Sequence, residues 1–350
     1  MLWTCAFDYQ KAGNDLVSRI ESSFWSPPQS QYVEEIAFPG QPGKQPAFTW
    51  DKAVYLSAAA AGSKLDAKRY QPLFDRIMKS LQSYGCTRHG VFGYSDLPVI
   101  GEKSDRYYDD NVWIVLAQIE MAESTHNTRY LKDAEKTFKF VMSGESSDLG
   151  GGIFWRENDR KSKNTCSNAP SALAAAKLYL LTKDNSYLET AERTYAWLKK
   201  LRDADGLMFD HIDLTGKIEQ TKWTYNTALM IEAGLALHTA TGERLYLDDA
   251  VQTATSARNH WIDPETGAIK DEAPFAHHLA DAFFVLDKAD PGKGWGAAAR
   301  NAVDFAYQNG GKNGLFGSRW DRYDARSNKV NLLSQASMAR GLLAAALASR

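Results

Sequence analysis

The sequence predicts an all-α fold: an (α/α)6 toroid, or six-hairpin barrel, of twelve helices forming one catalytic domain over residues 1–350. Three observations carry this. A Tyr-Leu motif recurs about every 58 residues, a glycine followed by apolar residues recurs in step with it, and the apolar spacing between these landmarks is helical.

The motif reads Thr128-Arg129-Tyr130-Leu131-Lys132-Asp133-Ala134, Asn185-Ser186-Tyr187-Leu188-Glu189-Thr190-Ala191 and Arg244-Leu245-Tyr246-Leu247-Asp248-Asp249-Ala250, with tyrosines 57 and 59 residues apart. A weaker copy, Ala67-Lys68-Arg69-Tyr70, lies 60 residues before Tyr130, and dividing 350 by about 58 gives six units. The second landmark is Gly90-Val91-Phe92, Gly152-Ile153-Phe154, Gly206-Leu207-Met208, Gly267-Ala268-Ile269 and Gly314-Leu315-Phe316. Each glycine is expected to stop a helix in the left-handed conformation, and each apolar run beyond it to form a small strand or hairpin edge.

In chain order the spacing predicts helices over 8–24, 50–62, 67–83, 109–125, 128–142, 168–181, 186–201, 224–240, 243–258, 274–286, 295–309 and 331–348. Tight links such as Thr182 to Ser186 and Thr241 to Glu243 join the helices of one hairpin; longer loops join hairpins. The even-numbered helices are rich in small residues, as in Ser57-Ala58-Ala59-Ala60-Ala61, Ser171 to Ala176 and Leu342 to Ala346. The odd ones carry charge on one face, as in Lys132, Glu135, Lys136 and Lys139. Small residues permit close approach and a charged face favours water, so even helices are expected inside and odd ones outside. A solenoid of helix pairs is the structural alternative.

Bulk properties exclude several functions. A formal charge of −2 without concentrated basic residues excludes a nucleic-acid or anionic-membrane surface, and no apolar run is long enough to span a bilayer. Cys5, Cys86 and Cys166 are too few and scattered for a disulfide framework or zinc site, and are expected to be small buried residues. Met1 to Phe7 has neither the basic region nor the apolar length of a signal peptide, so the expectation is a cytoplasmic protein or one whose leader has been removed. Ten Trp and sixteen Tyr exceed what a helical core of this size needs. Aromatic faces beside carboxylates and amides suit sugars.

If the even helices form the inner ring, the segments entering them converge at one end of the barrel. These segments are Phe48-Thr49-Trp50-Asp51, Tyr107-Tyr108-Asp109-Asp110-Asn111, Lys163 to Asn168, Lys222 to Asn226, Pro274 to His278 and Asn331 to Gln335. Hydrolysis of a glycosidic bond needs one carboxyl as proton donor and a second as nucleophile or base. Asp109 and Asp110 supply such a pair, and two carboxyls sharing a pocket should raise one pKa toward that of a general acid. Asp also caps helices, but Tyr107, Tyr108 and Trp113 beside an inner helix favour a catalytic pair. Asp248-Asp249, on an outer helix, reads as solvated surface.

Trp50, Asp51, Tyr108, Asn164, Asn168, Trp223, Tyr225 and Asn226 are the expected sugar-contacting groups, with Asp51 equally placed to cap the second helix. His277-His278 reads as packing rather than metal ligation, and Arg319-Trp320-Asp321 lies where it could shape the cleft.

Tyr108-Asp109-Asp110-Asn111-Val112-Trp113, the Lys-Asn-x-x-Ser-Asn stretch at 163–168 and the Thr-Tyr-Asn run at 224–226 resemble, in order and interval, the motifs of glycoside hydrolase family 76, and the similarity extends over most of the chain. The resemblance implies an (α/α)6 fold and endo-acting α-1,6-mannanase chemistry with retention of configuration, Asp109 as nucleophile and Asp110 as acid/base. It implies no metal or organic cofactor and a mannan polysaccharide or oligosaccharide as partner. The chain departs from the family at Thr227-Ala228, where Gln-Gly commonly follows Tyr-Asn, and it has no clear match around Lys270 to Phe275. A fungal branch of the family works in cell-wall glycan transfer. The alternatives are therefore another six-hairpin sugar enzyme (unsaturated uronide hydrolase, glucoamylase-like enzyme, epimerase or transglycosidase) or a non-catalytic glycan-binding barrel.

Overall fold

Inner and outer helices alternate along the chain, as the small-residue and charged faces require. The computed structural model describes residues 7–37, 41–99, 104–323 and 328–350, leaving Cys5 outside the described residues. Among these are twelve α-helices: α1 (Tyr9–Phe24), α2 (Thr49–Ser63), α3 (Ala67–Ser80), α4 (Tyr108–Thr125), α5 (Thr128–Met142), α6 (Thr165–Thr182), α7 (Asn185–Leu198), α8 (Thr224–Thr241), α9 (Arg244–Trp261), α10 (Ala273–Ala289), α11 (Trp295–Asn309) and α12 (Leu332–Ala348). Each even helix packs on the next even helix, and α12 returns to α2, which closes the ring and excludes the solenoid. Each odd helix from α3 onward packs outside the even helix that precedes it, and α1 pairs with α12. The sixth hairpin is thus made from the two ends of the described chain.

The recurring tyrosines are ring ties. Tyr70 of α3 donates to Asn14 of α1, Tyr130 of α5 to Asp75 of α3, and Tyr187 of α7 to Glu135 of α5. Tyr246 of α9 lies beside the Glu192 carboxylate of α7, and Tyr9 of α1 donates to Asp304 of α11. A half-buried hydroxyl needs a partner, and here it takes one from the adjacent outer helix. Gly62 allows one such contact, because a Cβ there would stand 2.4 Å from the Tyr70 ring.

Two corrections concern the glycines and the acidic pair. The landmark glycines are left-handed, with φ from +74° to +87°, but they turn hairpins beyond the helices. The helices before them, α3, α5, α7, α9 and α11, end instead on Leu81, Ser143, Lys199, Ile262 and Gly310, none of them left-handed. The apolar runs do form hairpin edges: Val91–Tyr94 pairs with Gly85–Arg88, Leu315–Phe316 with Gly311–Lys312, and Ile153, Met208 and Ile269 bridge Glu145, Arg202 and Ile262. Asp248 is exposed, but Asp249 is drawn inward, accepting from Tyr195 at 2.6 Å and pairing with Arg202.

These hairpins hold the inner helices by a repeated device. The first N–H of an inner helix has no partner within the helix. Thr49 donates it to the Asp96 carbonyl, Tyr108 to Trp155, Thr165 to Asp210, Ala273 to Ser318 and Leu332 to Glu34, while Thr224 donates to the Asp271 carboxylate. The fourth residue then reaches back to a hairpin strand. Asn111 accepts from and donates to the backbone of Tyr94, Asn168 that of Ile153 and Gln335 that of Phe316, and Thr227 accepts from Met208. Every inner helix therefore begins at the same end, locked to loops that rim one opening.

Candidate functional site

That opening leads into a cleft of about 620 Å³ lined by Trp50, Asp96, Tyr107, Asp109, Asp110, Trp155, Asn164, Cys166, Asp210, His211, Tyr225 and Phe275. The second residue of each of four consecutive inner helices faces it: Trp50, Asp109, Cys166 and Tyr225. In α4, α6 and α8 the second residue lines the cleft and the fourth clamps a hairpin.

Of the residues expected to bind sugar, Trp50, Asn164 and Tyr225 line the cleft together with the Asp109-Asp110 pair. Trp50 and Tyr225 flank Phe275, with ring centroids 5.8 and 4.6 Å away. Asn164 accepts from Ser162 at 2.7 Å and pairs in register with His211, which sets both at one strand edge.

Five others have different places. Asp51 is buried and caps α2, accepting the Phe48 N–H at 3.0 Å. Tyr108 is buried against Phe140 and accepts from Arg160. Asn168 is the Ile153 clamp, its amide used up by backbone groups. Asn226 is fully buried, its amide without a hydrogen-bond partner, and does not line the cleft. Trp223 packs on the outer side of Phe275 at 4.9 Å and does not line it either. Asn168→Ala is accordingly expected to cost about 2–3 kcal/mol by orphaning the buried Ile153 N–H and C=O, without changing ligand affinity in the folded protein. Urea unfolding and a binding isotherm check this; weakened binding at unchanged stability would restore Asn168 to the site.

Asp96, Trp155, Asp210, His211, Cys166 and Phe275 were not singled out from the sequence as site residues. A signal existed for three of them, because polar or aromatic residues follow each landmark glycine at the hairpin exit: Asp96 after Gly90, Trp155 after Gly152, Asp210 after Gly206. Cys166 is buried as expected but not inert, since its thiol touches Asp109. The remaining calls fall outside the cleft. His277 sits on the Ala273 carbonyl and His278 stacks on Trp113 at 4.8 Å, both packing roles. Arg319 pairs with Asp321 at 2.7 Å while Trp320 is buried beneath them.

The two acids differ in surroundings. Asp109 Oδ2 accepts from the Trp155 indole N–H at 3.0 Å and the Cys166 thiol at 3.3 Å, and Oδ1 is buried without a side-chain donor. Burial pushes its carboxyl up to about 6, and the thiol, the indole and the first-turn amides of α4 hold it from rising further. Asp110 lacks such donors. Burial raises it well above the usual carboxylate range, and the charges of Asp109, Asp96 and Asp51 raise it more. The proton of the pair is therefore held on Asp110 in preference to Asp109. Such an arrangement offers an anionic nucleophile beside a proton donor.

Lys163 secures the loop beneath them by donating to the carbonyls of Ser146, Asp148 and Gly151. Arg106, fully buried, pairs with Glu157 and so fixes the strand edge that carries Trp155. Among the described residues no cluster of three or more His, Cys, Asp or Glu is disposed to hold a metal.

The sequence profile of glycosyl hydrolase family 76 matches residues 16–349. An α-mannanase of that family from Bacteroides thetaiotaomicron has a similar structure, at TM-score 0.91 and 28% identity, covering 97% of this chain and 96% of that one. An inactive variant of an α-1,6-mannanase from Salegentibacter sp. HEL1_6, with two consecutive aspartates changed to asparagine and α-1,6-mannotriose bound, matches at TM-score 0.80 and 25% identity over 97% and 100% of the chains. A mannan endo-1,6-α-mannosidase of Candida glabrata is 29% identical over 190 residues, 49% of this chain and 41% of its own length. The match thus spans about two-fifths of the length of that relative.

Proposed function

The chain belongs to glycosyl hydrolase family 76, and from that premise we propose that it cleaves α-1,6-mannosidic linkages within mannan with retention of configuration, Asp109 attacking and Asp110 exchanging the proton. The observation that carries this reading is the unequal setting of two adjacent carboxyls, one held by two donors and the other crowded by negative charge. The Salegentibacter relative is described as inactive with two consecutive aspartates replaced, which supports the same pair here.

In the first step Asp109 attacks the anomeric carbon while Asp110 gives its proton to the departing glycosidic oxygen, so a glycosyl ester forms as the C–O bond breaks. In the second, water attacks that carbon, Asp110 takes the proton back, and Asp109 leaves as a carboxylate. Trp50, Phe275 and Tyr225 offer stacking faces for sugar rings, and Asn164, Asp210 and His211 offer hydrogen-bond groups opposite them. No step requires a metal.

Activity requires Asp109 ionised and Asp110 protonated, so kcat/KM is expected to be bell-shaped, with its acid limb near pH 6. Linear α-1,6-mannan is the test substrate. Release of mannooligosaccharides, with the new reducing end first seen as the α-anomer by proton NMR, is expected. No cleavage of mannan with turnover of an unsaturated uronide, or a β-anomer first, would overturn the reading.

A further inference from the structure

We infer that the Cys166 thiol, together with the Trp155 indole, is a positioning donor that holds Asp109 by Oδ2 and so fixes the rotation of the attacking carboxylate. The inference rests on the reading of Asp109 as nucleophile and adds what aims it.

A carboxylate has two equivalent oxygens and rotates about its Cβ–Cγ bond, so without an external hold either oxygen is offered in varying directions. Here the two are made unequal. Oδ2 takes both donors, at 3.0 Å from Trp155 and 3.3 Å from Cys166, while Oδ1 is buried without a side-chain donor. The donors come from the α5–α6 connection and from α6 itself, so the clamp is set by packing between neighbouring units rather than by α4 alone. Trp155 is held where the Tyr108 N–H bonds its carbonyl, and Cys166 is the second residue of α6, the position that faces the cleft.

The thiol suits a donor that must not act as a base or nucleophile itself. It is buried, and burial together with the neighbouring Asp109 charge keeps it protonated through the neutral range. Tyr225 adjoins it on the other side. A thiol is also a weak donor, so it orients the carboxylate without strongly lowering its basicity. As Asp109 bonds to the anomeric carbon and the leaving-group bond breaks, the two donors hold the carboxyl at one rotation. When water displaces the ester, the same donors receive the returning negative charge.

The test compares wild type with Cys166→Ala, Cys166→Ser and Trp155→Phe. For each, kcat and KM on linear α-1,6-mannan are measured against pH, and the aspartate carboxyls are titrated by carbon-13 NMR without substrate. For Cys166→Ala, kcat is expected to fall roughly tenfold with KM within about twofold, and the acid limb to move up by about half a unit, with the NMR titration of the lower-titrating carboxyl of the pair moving alike. Cys166→Ser should return the limb to or below its wild-type position and restore most of kcat, and Trp155→Phe should displace it in the same direction as Cys166→Ala. An unchanged limb and an unchanged titration in Cys166→Ala would overturn the inference, even if its melting temperature fell, because that is what a merely packed thiol would do. The titration needs no substrate, so it decides the thiol–carboxylate coupling even if wild-type protein leaves α-1,6-mannan uncleaved, an outcome that would instead overturn the proposed function.

Discussion

Asp109→Asn is expected to lower kcat/KM on linear α-1,6-mannan by about a thousandfold or more, because an amide cannot form the glycosyl ester. Asp110→Asn should lose a similar factor on mannan, whose leaving group needs the proton. It should lose far less in the first step on an aryl α-mannoside with an acidic phenol, which leaves unaided. That split separates the two roles, which simple inactivation does not. Both variants should fold and gain thermal stability near neutral pH. A buried acid whose pKa is raised on folding binds more protons in the native state, so its ionisation costs stability as pH rises above the usual carboxylate value and through about 6 for Asp109. Removing either carboxyl removes part of that cost. Near-full activity in either variant, or identical losses on both substrates, would contradict the assignment.

Arg340→Met is expected to cost about 3–5 kcal/mol of stability, the largest effect away from the cleft. Farther along the inner helices from the cleft, near their midpoints, the Arg340 guanidinium of α12 donates to Asp281 of α10 at 2.7 Å, Glu120 of α4 at 2.6 Å and the Ser57 carbonyl of α2 at 2.8 Å. Lys64 also pairs with Glu120, at 2.9 Å, and the guanidinium and Lys64 together hold Glu120 well below the usual carboxylate range. Asp281 Oδ1 is already without a partner, and burial beside Asp281 pushes Glu232 of α8 up to about 8. Without Arg340 two poorly hydrated carboxylates face each other. Because Glu120 is depressed on folding, its contribution is present above the ordinary carboxylate pKa and disappears as pH falls through its folded value. The penalty of the variant should therefore be greatest at neutral pH and shrink toward acid. Urea unfolding at pH 7 and at about pH 3, below the ordinary carboxylate value, measures this, and a loss below about 1 kcal/mol at pH 7 would contradict it.

The architecture was largely legible because it repeats. Period, small-residue faces and link lengths predict twelve helices and the alternation of inner and outer, and the observed bounds differ only at helix ends. What the repeat does for the fold was not legible. Tyr70, Tyr130 and Tyr187 look like helix-face residues, and only the closed ring shows each hydroxyl reaching the neighbouring unit.

The site was half legible for a related reason. Asn164 and Asn168 are four residues apart in one motif, and an amide serves a sugar hydroxyl or a peptide group equally well. Their separate fates follow from rotation about α6: Asn164 precedes the helix and meets the cleft, whereas Asn168 turns toward the Ile153 strand. Asp210 and His211 reach the cleft through strand pairing with Ser162–Asn164, a contact that local spacing does not encode. Cys166 reads as an ordinary small core residue until α4 and α6 are set side by side.

The central claim is that Asp109 forms the covalent intermediate, and azide rescue tests it most directly. Asp109→Ala is incubated with an aryl α-1,6-mannooligosaccharide and sodium azide, and the product is identified by NMR. Azide entering the space left by the carboxyl should give a β-glycosyl azide, inverted relative to the substrate. A folded variant that yields an α-glycosyl azide, or no azide product while Asp110→Ala yields the β-azide, would place the nucleophile elsewhere.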